Sequence, residues 1–288
     1  MLNLPFFSVI IPTYNRAGFL PTAIESVLAQ SSENWELIIV DDGSIDETSE
    51  VVEKYLPDRR IKYYWQENSG RSTARNTGCQ SAIGAYLCYL DDDDFFLPHH
   101  LEIIKGCILN QSTQCIVRTE AFRVHSDGTK HQSPLLYLDP VPYDHIFLHG
   151  SGLIFYAFPQ KLALIQSFAP YLSTGEDWHY ILRAITRYPI AFTQQISAVF
   201  HYSPMLVKNQ NSVHLFLRWQ SLFQALEELK AYKSHLSTSG LWQKKKARMV
   251  RQALFQSIYL FDWPLFSLSI KAFFSMLLSQ HFHKGESR

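Results

Sequence analysis

The sequence predicts an α/β fold: a mainly parallel central sheet flanked by helices, with a helical extension at the C-terminal end. Three observations carry this. Short apolar, β-branched runs alternate with helix-spaced apolar residues over residues 1–110. Acidic and turn-forming residues follow several of those runs directly. From residue 213 onward the pattern is helical only, broken by Ser237-Thr238-Ser239-Gly240. Strand and helix in strict alternation require crossover connections, and hence a parallel sheet covered on both faces.

The elements follow in order. Residues 6–11 form a buried strand ended by Pro12. Phe19, Leu20, Ala23, Ile24, Val27 and Leu28 recur at helical spacing. Residues 36–40 are a second strand, Val51, Val52, Tyr55 and Leu56 mark a second helix, and residues 61–65 are a third strand. Ser72 is placed to cap a helix running toward Ile83 and stopping near Gly84. Residues 85–90 are a fourth strand and 101–109 a further helix. Between 111 and 175 the periodicity weakens. A turn at Ser126-Asp127-Gly128 and prolines at 134, 140 and 142 predict mixed strands and loops there. Residues 176–187 read as helix and 190–202 as strand.

Composition narrows the function classes. The chain has 288 residues, 47% of them hydrophobic, which is ample for a sizeable core. Its 26 basic and 26 acidic residues give no overall field to attract nucleic acid. Cys79, Cys88, Cys107 and Cys115 include no CxxC pair, which predicts reduced, mostly buried thiols and a cytoplasmic protein. Residues 1–7 lack a basic segment and a long apolar run, so no secretory signal is expected. No stretch reaches the roughly 18 apolar residues of a membrane span.

In open parallel sheets, ligands bind beyond the carboxyl ends of the strands. The first strand is followed by Pro12-Thr13-Tyr14-Asn15, the second by Asp41-Asp42-Gly43-Ser44, and the fourth by Asp91-Asp92-Asp93-Asp94. One aromatic and up to six carboxylates thus converge on one edge. Such a cluster repels itself unless a cation is present, and Mg²⁺ or Mn²⁺ with a substrate diphosphate is the economical answer. In an extended segment residues i and i+2 project the same way, so Asp91 and Asp93 can face one site. An EF-hand reading, with Glu102 at the twelfth loop position, fails because Phe95 and Phe96 stand where a ligand and a glycine are needed. Asp42 could bond a nucleobase N–H and Tyr14 could stack on the base, or they could be a capping turn acid and a buried tyrosine. The loop from Asn68 to Arg75 opens a helix, and Gly70 with Arg75 suits phosphate there, although Arg75 could equally pair with a surface acid. Gly175-Glu176-Asp177-Trp178 opens another helix. Asp177 is then either a dipole-matched first-turn acid or a general base. Trp178 is either a core residue or an apolar face for a sugar.

Taken together these motifs resemble the family-2 glycosyltransferases, which have the GT-A fold. The matching residues are Ser8-Val9-Ile10-Ile11-Pro12-Thr13-Tyr14-Asn15 and Val40-Asp41-Asp42-Gly43-Ser44. They continue through Asn68, Gly70, Ala74-Arg75-Asn76 and Gly78, then Leu90-Asp91-Asp92-Asp93-Asp94 with Pro98, and finally Glu176-Asp177-Trp178. Asp92 departs from the pattern, since the family often has a small apolar residue there. The resemblance implies a GT-A-like catalytic domain over 1–205, with a nucleotide-binding half at about 1–110 and an acceptor half at about 111–205. Residues 206–288 are then a C-terminal helical region. It also implies that Pro12 and Tyr14 line the nucleotide pocket, Asp42 contacts the base and Arg75 lies near the nucleotide. Asp91 holds the ribose or donor sugar, Asp93 binds Mn²⁺ or Mg²⁺, and Asp177 is the catalytic base. Glu176 and Trp178 are candidate acceptor or sugar contacts. The reaction implied is inverting transfer from a nucleoside-diphosphate sugar, a UDP-sugar foremost, to a saccharide or glycolipid hydroxyl in cell-surface polysaccharide or glycan synthesis.

Two rivals remain. A sugar-phosphate nucleotidyltransferase would need a Gly-rich basic loop where Pro12-Thr13-Tyr14-Asn15 stands. A non-catalytic nucleotide-sugar-binding protein would not need acids at Asp91, Asp93 and Asp177. The basic run Lys244, Lys245, Lys246, Arg248 and Arg251 precedes an aromatic-rich amphipathic stretch. It reads as a helical cap with a solvated basic face or, alternatively, as a peripheral contact with the inner face of the membrane.

Overall fold

The computed structural model describes residues 4–125, 128–132, 142–149, 151–202, 212–230, 240–260 and 267–272. They fall into two compact units. The first takes in residues 1–142, 151–170 and 184–204, the second 143–150, 171–183 and 205–288. Residues 143–150 and 171–183, read above as part of the 1–205 domain, thus group with the C-terminal helices.

The first unit is built on one sheet. Its strands are β1 (Phe7–Thr13), β2 (Trp35–Asp41), β3 (Ile61–Trp65), β4 (Tyr86–Tyr89), β5 (Phe95–Phe96), β6 (Ile116–His125), β7 (Lys130–Gln132), β8 (Tyr156–Pro159) and β9 (Ile190–Tyr202). Their order is β3-β2-β1-β4-β8-β6-β9-β5, with β7 paired to β6. β3, β2, β1 and β4 run parallel. β8 is antiparallel to both β4 and β6, β6 is parallel to β9, and β5 is antiparallel to β9. The expected parallel sheet therefore holds for the first half of the chain. Beyond β4 the pairing is mixed, where the periodicity also weakened. Every residue of β1 and β2 is buried, as central parallel strands covered on both faces require.

The helices are α1 (Leu20–Leu28), α2 (Thr48–Glu53), α3 (Arg71–Ser81), α4 (His100–Leu109), α5 (Pro142–His149), α6 (Gln160–Ala163), α7 (Glu176–Ala184), α8 (Ser212–Lys230) and α9 (Leu241–Leu260). Leu20, Ala23, Ile24 and Val27 form the buried stripe of α1, at the spacing that announced it. α3 lies so close to the sheet that a Cβ on Gly78 would stand 2.5 Å from Ile10 Cγ2. Ser72 does not cap α3. The helix starts at Arg71 behind Gly70, whose φ of 86° turns the chain in, and Ser72 is buried within the first turn. Among the described residues no helix is long and apolar enough to cross a membrane.

The basic run on α9 is only partly the solvated face expected. Lys246 is buried, with Nζ 2.5 Å from Glu227 Oε1 and its ammonium 4.4 Å over the Trp242 ring. The aromatic residues at 261–266 and 273–288 lie outside the described residues, as do the side chains of Ile258, Tyr259 and Leu260.

His100 sits at the start of α4 with its ring stacked 3.8 Å from Phe96 and Nδ1 2.8 Å from Ser197 Oγ. Burial pushes its imidazole down to about 3, against the opposing Ser197 contact. Between pH 6.5 and that value the unfolded chain holds a proton that the folded chain lacks, so stability rises with pH through this window and is lost as pH falls. The slope for one such group is about 1.4 kcal/mol per pH unit. Urea unfolding at pH 4.5 and 7 should show His100→Gln with a smaller acid penalty than the wild type; equal penalties would remove His100 as a source.

Candidate functional site

The parallel register brings three strand ends level. Thr13 pairs with Asp41 across β1 and β2, and Leu90, just past β4, donates its N–H to Ile10 O at 3.0 Å. Pro12 is buried within β1, and Tyr14 follows it with its side chain 46% exposed. The loops after β1 and β2 are stitched together. Asn15 N donates to Ser44 Oγ, Ile45 N to Asn15 Oδ1, both at 2.8 Å, and Ala17 N to Asp46 Oδ2 at 3.1 Å. Asn15 adopts φ 52°, a left-handed conformation that asparagine tolerates better than most residues.

The acids after β2 are internal. Asp41 accepts from Ser44 N at 2.8 Å and the Tyr63 hydroxyl at 2.6 Å. Asp42 is 3% exposed. Its Oδ1 accepts from Gln66 Nε2 at 2.7 Å and Ser69 N at 3.0 Å, and its Oδ2 from Gly70 N at 2.7 Å. It therefore holds the two residues that lead into α3, from just past a neighbouring strand. Gly43 makes this approach feasible: it has φ 85°, and a Cβ there would stand 2.8 Å from Asn68 N.

The four aspartates alternate. Asp91 and Asp93 are partly open, with side chains 46% and 35% exposed. Asp92 and Asp94 are buried. Asp92 accepts from the Thr13 hydroxyl at 2.8 Å, and Asp94 accepts the His201 N–H at 2.8 Å. Burial pushes Asp92 up to about 6 despite that hydroxyl and the charge of Arg16. Burial, then the charge of Asp91, raises Asp94 well above the usual carboxylate range, against the His201 N–H. Desolvation works the same way on Asp91, but the charge and hydrogen bond of Arg75 outweigh it and hold that carboxyl low. Arg75 is 2% exposed; its Nη2 lies 2.7 Å from Asp91 Oδ1 and its guanidinium 5.5 Å over the Phe168 ring.

Two neighbours of this edge escaped the sequence reading. Arg16 approaches Asp93 Oδ2 at 3.4 Å, one residue past the motif after the first strand. His201, on β9, contacts the Asp93 carbonyl through Nδ1. It lies near the end of a strand correctly placed at 190–202, so the strand-end rule applied to that strand would have found it. Among the described residues no three His, Cys, Asp or Glu side chains assemble a metal cage. The open carboxylates of Asp91 and Asp93 are hard oxygen donors, and Mg²⁺-type ions commonly take one or two such groups and fill their shell from phosphate and water. The residues present fit such an ion.

In the second unit, Glu176 and Trp178 are buried and Asp177 between them is part-exposed. Asp177 Oδ1 accepts the N–H of Trp178 at 2.7 Å. Trp178, read above as either a core residue or an apolar face for a sugar, is 5% exposed. Its indole N–H donates to Ile146 O at 3.0 Å, and its ring packs 5.7 Å from Phe147 under the Lys245 ammonium. Its faces are spent inside the unit.

Known proteins share this design. An uncharacterized glycosyltransferase of Rickettsia conorii is 47% identical over 103 residues, which are 36% of this chain and 17% of the relative. The chain thus spans about one sixth of that relative's length. A putative teichuronic acid biosynthesis glycosyltransferase of Bacillus subtilis, TuaG, is 41% identical over 100 residues, 34% of this chain and 40% of the relative. Staphylococcus aureus TarS 1–349 in complex with UDP-GlcNAc superposes with a TM-score of 0.62 at 18% identity, covering 85% of this chain and 80% of that TarS segment. A Pyrobaculum calidifontis mannosyltransferase in complex with GDP-Man and Mn²⁺ gives 0.58 at 16% identity, covering 99% of this chain and 81% of the other. These likenesses establish the GT-A fold. The family model for glycosyl transferase family 2 matches residues 8–159, more than half of the chain, and the chain belongs to that family.

Proposed function

We propose that the chain transfers a sugar, with inversion, from a nucleoside-diphosphate sugar to a hydroxyl of a saccharide or glycolipid. A UDP-sugar is the first choice, because TarS, which shares the fold, is known in complex with UDP-GlcNAc. The likeness to TuaG supports a role in cell-surface polysaccharide synthesis. The observation that carries the reading is the alternation of the aspartates: Asp91 and Asp93 stay open at the sheet edge while Asp92 and Asp94 are consumed inside.

The roles follow from chemistry. Tyr14, exposed beside the edge, can stack on a base. Asp42 shapes the loop that opens α3, so its contribution to the nucleotide includes holding that loop. Arg75 fixes Asp91, which bonds ribose or donor-sugar hydroxyls. Asp93 would hold Mn²⁺ or Mg²⁺, with His201 beside it. Such an ion offsets the negative charge that develops on a departing diphosphate. Asp177 accepts the proton of the acceptor hydroxyl as its oxygen attacks the anomeric carbon, and no covalent intermediate is required. Buried Glu176 is less suited to that task than part-exposed Asp177.

Binding of UDP should depend strongly on a divalent cation, because uncompensated carboxylates repel a diphosphate. Calorimetry with Mn²⁺ and with EDTA tests this, and equal affinities would sink the metal assignment.

Asp93→Ala should abolish the Mn²⁺-dependent part of UDP binding with little change in melting temperature. Asp94→Ala should instead lower stability, since it removes the acceptor of the His201 N–H. Melting curves and titrations on both variants decide, and the reverse pattern would shift the register of the metal site.

Asp177→Asn should cut turnover by about 10² to 10⁴-fold, the usual contribution of a general base, and leave UDP and Mn²⁺ affinity within twofold. A panel of nucleotide sugars supplies the donor for the assay. Asparagine is a good helix-start residue, so near-normal turnover would reduce Asp177 to a helix-start residue.

A further inference from the structure

The segment that carries Asp177 is pinned from both sides by the C-terminal helices of its own unit. Ahead of Asp177, the Tyr171 hydroxyl donates to Glu228 Oε2 at 2.7 Å. Ser173 N donates to Ser221 Oγ at 3.0 Å, and the two serine hydroxyls are 2.9 Å apart. Gly175 has φ 76°, a conformation that side chains rarely adopt, and a Cβ there would stand 2.8 Å from Leu222 Cδ2, so a side chain would have to displace that leucine. Behind Asp177, His179 Nε2 lies 3.1 Å from the same Glu228 Oε2. The Lys245 ammonium of α9 sits 4.7 Å over the Trp178 ring.

The Tyr171 hydroxyl thus bonds one Glu228 oxygen from six residues before Asp177, and the His179 ring lies against the same oxygen from two residues after it. We infer that Glu228, with Lys245 in support, is a positioning residue that staples the start of α7 and fixes the Asp177 carboxyl for proton transfer; this rests on the assignment of Asp177 as the base. His179 is buried and pushed down to about 4 by that burial, with the charge of Arg183 adding and Glu228 opposing. It therefore meets Glu228 as a neutral ring near pH 7. A loop entering a helix has little stability of its own, whereas a general base must be held within a fraction of an ångström of its working geometry. The staple supplies that order. The C-terminal helices are, on this view, part of the catalytic apparatus and not an appended cap.

The test uses full-length Glu228→Ala, Glu228→Gln and Lys245→Met beside Asp177→Asn. UDP titration with Mn²⁺ counts the competent protein, amide exchange reports residues 171–184, and steady-state rates are taken with the nucleotide sugar that the wild type turns over. Glu228→Ala should exchange faster across 171–184 and lose about tenfold or more in kcat per UDP-binding site, with donor KM and UDP affinity within twofold. Lys245→Met should show the same changes to a smaller degree. Glu228→Gln keeps an acceptor for Tyr171 and should recover most of the rate. Unchanged exchange in Glu228→Ala overturns the inference. So does a kcat per UDP-binding site within twofold of wild type, because a purely structural residue would lose sites and not rate per site. If Asp177→Asn is inactive while Glu228→Ala is normal, the staple alone falls. If Asp177→Asn turns over normally, the base assignment falls and the inference with it.

Discussion

Negative charge gathered at one edge of a parallel sheet is the constraint on which the rest of the first unit depends. Parallel strands deliver all their outgoing loops to the same side, and here the ends of two strands carry six acids between them. Six carboxylates cannot share a poorly solvated edge unless most are matched. Asp41 and Asp42 are matched by backbone N–H groups, a tyrosine hydroxyl and a glutamine amide, and their bonds give the neighbouring loops their shape. Asp92 and Asp94 are taken inward, where burial favours their protonated forms. Asp91 is held charged by Arg75. What remains open at the edge is the pair Asp91 and Asp93, each beside an arginine.

The same alternation explains how much could be read without coordinates. The i, i+2 expectation groups Asp91 with Asp93 and Asp92 with Asp94 as the burial does, but not through extended backbone: Asp92 and Asp93 lie in a turn closed by the Asp94 N–H to Asp91 O at 3.1 Å. Strand positions in the first hundred residues were equally legible, since buried parallel strands are continuous apolar runs. Asp42 was harder. Its residue type and its place after a strand are compatible with a base contact or a cap, and only the positions of Gln66, Ser69 and Gly70 reveal how much of it is engaged. Ser72 was misread because Gly70, at positive φ, starts the helix two residues ahead of the position that a Ser72 cap requires. Arg16 was missed because its importance comes from a contact with Asp93, 77 positions away, which no local pattern encodes, whereas His201 lay within reach of the strand-end rule.

The second unit was the least legible. Trp178 beside a candidate base invites a sugar-stacking role, and tryptophan serves both that role and core packing. The contacts that decide are with Ile146, Phe147 and Lys245, which come from two stretches of chain distant from Trp178. The lysine-rich run misleads in a related way. A basic run on a helix usually marks solvent or an anionic surface, but long lysine stems can bury their length while the ammonium finds a ring or a carboxylate. Lys245 lies over Trp178 and Lys246 over Trp242 beside Glu227.

Between the adjacent acids Glu176 and Asp177, burial, more than acidity, decides which is proposed as the base. Successive residues on a helix point about 100° apart, so the start of α7 cannot present both carboxyls alike. Glu176 is 2% exposed, and an acceptor hydroxyl could reach it only if the helix start opened. Asp177 is part-exposed and bonded through Oδ1 to the next N–H. A carboxylate offers about four lone-pair directions, so one backbone bond orients the group without exhausting its capacity to take a proton. Anchors before and after it, at Tyr171, Ser173, Gly175 and His179, then limit how far that orientation can wander. A base needs both properties at once, access for the acceptor and restraint of its own motion, and among the two acids only Asp177 combines them.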